Sequence, residues 1–158
     1  MKCVISGSYR KYFGSVARLV AVLSKAGIEV LSPQASMIEA IDRGFVKLTS
    51  DPEGASVGHI LTNHLELIRR ADYLVVYNRP WRGRPYLGPS TSLELGWARA
   101  VGTQIICLYP LDDAGLEAVV DHVVGEDSLL ELLQSRVVAE EHAGCAALRA
   151  PIVAYEKP

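Results

Sequence analysis

Apolar positions over the first 110 residues alternate between short β-branched runs and longer amphipathic ones. Lys2 to Ser6 is a short apolar strand ending at Gly7-Ser8. Ser15 stands in a capping position before Val16, Leu19, Val20 and Leu23, which share one face of a helix that Gly27 ends. Ile28 to Leu31 is a second strand, halted by Ser32-Pro33. Between 34 and 58 the pattern predicts a helical turn or two over Met37 to Asp42 and a strand over Phe45 to Thr49. A loop follows at Pro52, Gly54 and Gly58. Ile60 to Arg70 is a helix with Leu61, Leu65 and Ile68 in step. Tyr73 to Tyr77 and Thr103 to Tyr109 are strands, joined by an amphipathic run that Gly102 ends.

After Pro110 the pattern predicts two helices. Leu116, Val119, Val120, Val123 and Val124 line one, and Leu129, Leu130, Leu133 and Val137 the other. Pro151 to Tyr155 reads as a final edge strand. The order β-α-β-(α-β)-α-β-α-β-α-α implies an α/β, doubly wound, mostly parallel sheet in a three-layer sandwich. One domain is expected over 1–158, helical from about residue 112. In such a sheet, ligands bind at the loops following the carboxyl ends of the strands.

Composition narrows the class. With 49% hydrophobic and 22% charged residues the chain reads as globular. A net charge of −2 gives no electrostatic ground for a nucleic-acid or anionic-membrane partner. Cys3, Cys107 and Cys145 form no CxxC pair, and no Cys/His group has metal-ligand spacing, so neither a metal nor another cofactor is expected. The N-terminus enters a strand directly, without a signal-peptide apolar region, and no run reaches membrane-spanning length. A cytoplasmic domain with reduced thiols is the expectation.

The chemistry concentrates between Asp72 and Leu108. Gly88-Pro-Ser90-Thr91-Ser92-Leu-Glu94 delivers hydroxyls and a carboxylate to a helix N-terminus, where backbone N–H groups and the dipole favour negative charge. With Thr91 as N-cap, Glu94 falls at capping-box spacing and has a purely local role. Four small or hydroxyl residues in the five from Gly88 to Ser92 exceed what a cap requires, and the dipole would keep an uncapped Glu94 ionised as a nucleophile. Gly7-Ser8 is a tight βα turn that lets backbone N–H groups approach a phosphate. The Arg79 to Tyr86 loop sets three arginines beside Trp81 and Tyr86, so Arg82 and Arg84 suit a phosphate and the rings a base. The same loop would serve equally as a solvated turn or an oligomer contact. His64 lies one turn from Ile60 and Ile68, as a packing residue or as a proton donor at neutral pH. Asp72 opens its strand after Arg69-Arg70-Ala71, a place for a surface ion pair or turn.

Three segments carry a resemblance. They are Ile5-Ser-Gly-Ser8, Ile68-Arg-Arg-Ala-Asp72 running into Tyr73-Leu-Val-Val-Tyr-Asn78, and Gly88-Pro-Ser-Thr-Ser-Leu-Glu94-Leu-Gly-Trp-Ala98-Arg-Ala-Val-Gly102. Over roughly residues 2 to 109 the chain resembles the nucleoside 2-deoxyribosyltransferase superfamily, which includes nucleoside 5′-monophosphate N-glycosidases. The resemblance implies a flavodoxin-like fold, Glu94 as nucleophile, and a homo-oligomer, a dimer or larger. Asp72 and His64 join the catalytic set by position, His64 standing where the family carries an acidic residue. Gly7, Ser8, Tyr9, Asn78, Arg82, Arg84, Tyr86, Gly88, Ser90, Thr91 and Ser92 are the implied substrate contacts. The family's first-strand tyrosine is missing from Val4-Ile5-Ser6, leaving Tyr9, Tyr12 or Tyr86 to take its place. Gly88 stands where the family has Asp or Ser.

The implied chemistry is cleavage or transfer of the N-glycosidic bond of a nucleoside or nucleotide. It would proceed by retaining double displacement, with His64 protonating the leaving base. Alternatives are a non-catalytic nucleotide-binding or nucleotide-sensing module, and a structural role with Glu94 as a cap.

Overall fold

The computed structural model describes residues 1–142 apart from 35 and 85, with side chains as far as 136. The first half of the chain runs β1 (Lys2–Gly7), α1 (Tyr9–Lys25), β2 (Glu29–Ser32), β3 (Ile38–Asp42), β4 (Phe45–Leu48) and α2 (Val57–Arg70). The second half runs β5 (Tyr73–Tyr77), α3 (Pro89–Val101), β6 (Gln104–Cys107), α4 (Ala114–Glu117), β7 (His122–Val123) and α5 (Glu126–His142). Five strands form one parallel sheet in the order β2-β1-β5-β6-β7. Setting aside the separate β3-β4 hairpin, this is the flavodoxin-like order, with its switch point between β1 and β5.

Side-chain alternation divides the core into two layers. Cys3 and Ile5 of β1, Tyr73, Val75 and Tyr77 of β5, and Ile106 of β6 pack with Val16 and Leu23 of α1 and Leu129 and Leu133 of α5. Val4, Leu74, Val76, Ile105 and Cys107 point the other way, onto Ile68 of α2 and Leu95 and Ala98 of α3. Both strand faces are covered, which is why these strands read as continuous apolar runs. Ser6 has the parity of Val4. Its hydroxyl therefore turns toward the layer of α2 and α3.

α1 begins at Tyr9 rather than after Ser15, because Lys11 N–H and Tyr12 N–H already bond the Ser8 carbonyl at 3.0 and 2.9 Å. Ser15 is inside the helix, its Oγ accepting from Arg18. Tyr12, at φ −127°, kinks the helix, and the polar first turn hides its start from an apolar pattern. Residues 38–42 are a strand, not a helical turn. Arg43 (φ 44°) and Gly44 (φ 91°) make a two-residue turn of the type I′ kind, and β3 pairs antiparallel with β4. The spacing of Ile38 and Ile41 imitates a helix, but both are exposed.

Beyond Pro110 the first expected helix is a single turn, capped by Asp113 through Leu116 N–H at 2.9 Å. The edge strand β7 follows, paired with Ile106 and Cys107. The valines split between the layers: Leu116, Val119 and Val120 pack with α2 and α3, whereas Val124 packs with α1 and α5. α5 buries Leu129 and Leu133 as its periodicity predicts. Cys145, the expected strand at 151–155 and the Val137 side chain lie outside the described residues. Among the described residues no helix is long and apolar enough to cross a membrane.

Candidate active site

At the switch point the carboxyl ends of β1 and β5 open into a cleft lined by Gly7, Ser8 and Tyr9, by His64, and by Tyr86, Gly88, Ser90, Thr91 and Glu94. The space there, counted with the solvent at its open mouth, is about 940 Å³. The β3-β4 hairpin closes one side with Gly44, Phe45, Val46 and Leu48. Gly7-Ser8 and Ser90-Thr91 therefore share one cleft, as their common position after parallel strands predicts.

Two helix N-termini meet there. Ser8 caps α1 without a side-chain capping bond, and Gly88 caps α3 with Pro89 entering its first turn. The Lys11 N–H is taken by the Ser8 carbonyl and Pro89 has no N–H, which leaves the Tyr9, Arg10, Ser90 and Thr91 N–H groups as donors to an anion. Because the cap is Gly88, Glu94 sits more than a turn inside α3 and Thr91 is buried in the helix. The capping-box reading of Glu94 fails on this geometry.

Glu94 is 7% exposed. Burial pushes its carboxyl pKa up to about 7, against which a hydrogen bond from Ser6 works in the opposite direction. The helix dipole does not keep it firmly ionised, contrary to the sequence expectation. His64 Nε2 stands 3.8 Å from Glu94 Oε1 and 3.2 Å from Ser6 Oγ, and its Nδ1 stands 3.0 Å from Ser32 Oγ. Burial lowers the imidazole pKa to about 4, so at neutral pH it is uncharged. An uncharged imidazole does not fit the imidazolium proton donor that the sequence suggests for His64. Its ring instead ties β1, β2 and α2 to the carboxyl on α3.

Of the three tyrosines considered for the missing first-strand position, Tyr9 and Tyr86 line the cleft. Tyr9 donates its phenol proton to the Ile5 carbonyl. Burial, followed by the charges of Glu94 and Asp51, holds the pKa of that phenol well above its usual value. Tyr12 packs against Tyr77 in a tilted arrangement, ring centres 5.9 Å apart, and donates to the Pro80 carbonyl, outside the cleft. Tyr86 is held by Lys11, whose Nζ sits 3.2 Å from its ring centre and 4.4 Å from that of Trp81.

Five expected residues are not brought into the cleft. Asp72, at the opposite end of β5, accepts the Lys2 N–H at 2.7 Å and so pins the start of β1. Asn78 is fully buried and exchanges two hydrogen bonds with the Tyr109 backbone, at 2.6 and 3.0 Å. Ser92 turns back to the Gly88 carbonyl at 3.3 Å. Arg82 and Arg84 belong to a tight turn closed by Trp81 and Arg84 backbone bonds, and both point to solvent.

Sequence reasoning passed over Arg10, Asp51 and Asn63, which line the cleft, and Ser6 and Ser32, which hold His64. Ser6 carried a readable signal, a hydroxyl at an inward position of an apolar strand. Arg10 carried none, because its place depends on where α1 begins. Among the described residues no group of three or more His, Cys, Asp or Glu side chains could hold a metal ion. The Cys3 and Cys107 thiols are pushed up to about 12, first by burial, and are poor nucleophiles.

No protein-family model matches the chain, and no curated protein matches its sequence. Solved structures do match its fold. A conserved protein from Enterococcus faecalis V583 is 21% identical with a TM-score of 0.61, over 86% of this chain and 98% of its own. The CMP N-glycosidase BcmB of Clostridium botulinum is 19% identical with a TM-score of 0.54, over 86% and 99%. A 2-deoxyribosyltransferase from Bacillus psychrosaccharolyticus is 17% identical with a TM-score of 0.55, over 82% and 90%. The five-stranded parallel sheet flanked by helices is the fold these enzymes share.

Proposed function

We propose that the protein cleaves or transfers the N-glycosidic bond of a nucleoside or nucleoside 5′-monophosphate, with Glu94 as nucleophile. The observation that carries this reading is a buried carboxyl, outside any capping position, in a cleft at the sheet's switch point. The fold shared with a CMP N-glycosidase and a 2-deoxyribosyltransferase supports it.

In this mechanism the ionised Glu94 attacks C1′ of the sugar, and the base departs with the bonding electrons and takes up a proton. A glycosyl ester on Glu94 results. Water or a second base then displaces the ester oxygen, restoring the anomeric configuration and the free carboxylate. A 5′-phosphate would lie against the α1 and α3 N-termini, near the Ser8, Ser90 and Thr91 hydroxyls, with Arg10 at the mouth. Arg10 takes the place that the sequence assigns to Arg82 and Arg84.

Incubation with a panel of nucleosides and nucleotides, followed by chromatography for free base, tests the reading. Base release that disappears in Glu94→Ala supports it, as does a glycosyl adduct on Glu94 in mass spectrometry. Binding without base release would leave a nucleotide-binding module instead. Absence of both binding and release would leave only a structural role for Glu94.

A further inference from the structure

Buried Glu94 and Ser6 and half-buried His64, Ser32 and Tyr9 follow one another along the cleft wall from α3 to α1. His64 Nε2 lies 3.2 Å from Ser6 Oγ and 3.8 Å from Glu94 Oε1, and its Nδ1 lies 3.0 Å from Ser32 Oγ. The Ser6 hydroxyl is close enough to Glu94 to favour the carboxylate, and the Ser32 hydroxyl close enough to Tyr9 to favour its phenolate. Each hydroxyl has one proton to give and can accept in return, and a neutral imidazole gives at one nitrogen and accepts at the other. The direction of one link therefore fixes the direction of the next.

An ionised Glu94 can only accept, so Ser6 donates to it and Ser6 Oγ takes the proton of His64 Nε2–H. His64 Nδ1 then accepts from Ser32. When Glu94 is protonated it can donate to Ser6 Oγ, freeing the Ser6 proton for His64 Nε2. The imidazole then carries its proton on Nδ1 and donates to Ser32, whose own proton has the Tyr9 oxygen as acceptor. Between the two states the cluster takes up one proton from solvent, and the imidazole stays uncharged in both.

We infer that Ser6, His64 and Ser32 form a reversible hydrogen-bond relay that positions the Glu94 carboxylate, with the His64 tautomer reporting the state of Glu94. In this relay Ser6 and His64 are positioning residues. The inference rests on Glu94 being the nucleophile, but the relay is measurable without turnover. The groups facing Glu94 are Ser6 from β1, His64 from α2 and Tyr9 from α1, with Asp51 and Arg10 lining the same cleft. His64 is uncharged above a pKa of about 4, and the Tyr9 phenol keeps its proton. Neither adds a charge change near the carboxyl midpoint at about pH 7.

The test is a nitrogen-15 NMR titration of His64 between about pH 5.5 and 9, alongside a carbon-13 titration of the Glu94 carboxyl. The expected result is a His64 tautomer change, without imidazolium formation, at the midpoint of Glu94. Ser6→Ala should raise the Glu94 midpoint by about one pH unit and uncouple the tautomer from it. Ser6→Thr should restore both. A single His64 tautomer across the range, or a Glu94 midpoint indifferent to Ser6→Ala, overturns the relay. If Ser6→Ala fails to fold, the wild-type titration alone decides. Where base release is found, the acid limb of its kcat/KM profile should move with the same variants. A coupled titration in a protein that releases no base would uphold the relay and refute the glycosidase reading.

Discussion

A Cβ placed on Gly7 would stand 2.7 Å from the Tyr77 carbonyl oxygen and 3.0 Å from Tyr77 Cβ. Gly7 and Tyr77 are register partners at the last rung of β1 and β5, just before both strands open into the cleft. The sequence suggests that Gly7 exists to let a phosphate approach. The structure gives it a different first duty, the close fit of two strands whose ends carry the site. Gly7→Ala should therefore destabilise the fold by about 1–3 kcal/mol, the ordinary cost of overpacking. Denaturant unfolding measures this, and a loss below a few tenths would mean the strands separate freely there.

Glu94 and His64 oppose one another in pH-dependent stability. Burial raises the Glu94 pKa to about 7, so folding favours its protonated form, and this contribution is lost as pH rises from about 4.5 toward 7. Burial lowers the His64 pKa to about 4, so folding favours neutral imidazole, and this contribution is lost as pH falls from about 6.5 toward 4. Each is worth about 3 kcal/mol at most, since a tenfold change in proton affinity corresponds to about 1.4 kcal/mol. Between pH 4.5 and 6.5 the two slopes cancel, because the folded pair holds its proton on Glu94 and the unfolded pair on His64. Glu94→Gln should unmask the His64 slope, with stability rising over that interval. A variant whose stability stays level with pH would contradict the assignment.

The same substitution separates catalysis from folding. Glu94→Gln should abolish base release by several orders of magnitude, since covalent catalysis has no substitute group at that position. At about pH 8 the variant should be at least as stable as the wild type, because it removes a carboxylate whose ionisation folding opposes. A capping glutamate would behave in the opposite way, with activity kept and about 1 kcal/mol of stability lost. In the wild type, kcat/KM should fall on acidification through about pH 7, where Glu94 protonates. A profile flat from about pH 8 to 5.5 would point away from Glu94 as nucleophile.

Where periodicity was unambiguous, the sequence could be read. The β-branched runs of β1, β5 and β6 are buried on both faces, and Glu94 stood out because its motif is dense in hydroxyls. Apolar spacing misleads where it does not show which surface the side chains pack against. Ile38 and Ile41 match helical spacing, and only the paired positive φ angles of Arg43 and Gly44 reveal a hairpin. Leu116 to Val124 also match it, yet the chain crosses the sheet edge there and serves both layers. The site was half legible. Hydroxyls next to glycine marked the helix ends, but which arginine faces the cleft depends on the start of α1 and on the tight turn at Arg82-Gly83. The pKa values of Glu94 and His64 depend on burial, which no local pattern carries.

Arg10 should contribute to recognition of a nucleotide where Arg82 and Arg84 do not. Only Arg10 of these three lines the cleft, beside the α1 N-terminus. Arg10→Ala should raise KM for a nucleoside 5′-monophosphate by about tenfold, as expected for one lost charge-assisted contact, with a smaller effect on the matching nucleoside. The Arg82→Ala/Arg84→Ala double variant should match the wild type for both. The reverse ranking would return the phosphate to the Arg79–Tyr86 loop and require that loop to move.

β3 is exposed along its whole length, whereas β4 lends Phe45, Val46 and Leu48 to the cleft, so the hairpin is a wall built for the site rather than part of the sheet. Its shape depends on the positive φ of Gly44, close to Arg10, with 3.8 Å between a Cβ built at Gly44 and the guanidinium. Phe45 is the aromatic ring that this wall presents to the cleft, and a flat apolar surface there suits a nucleobase. Phe45→Ala should raise KM by about three- to tenfold, the scale of one aromatic contact at about 0.5–1.5 kcal/mol, and leave kcat within about twofold. Because the hairpin lies outside the main sheet, unfolding free energy should change little. A fall in kcat at constant KM would place the ring against the reacting sugar instead. A loss of stability of several kcal/mol would show that the hairpin is held as part of the core.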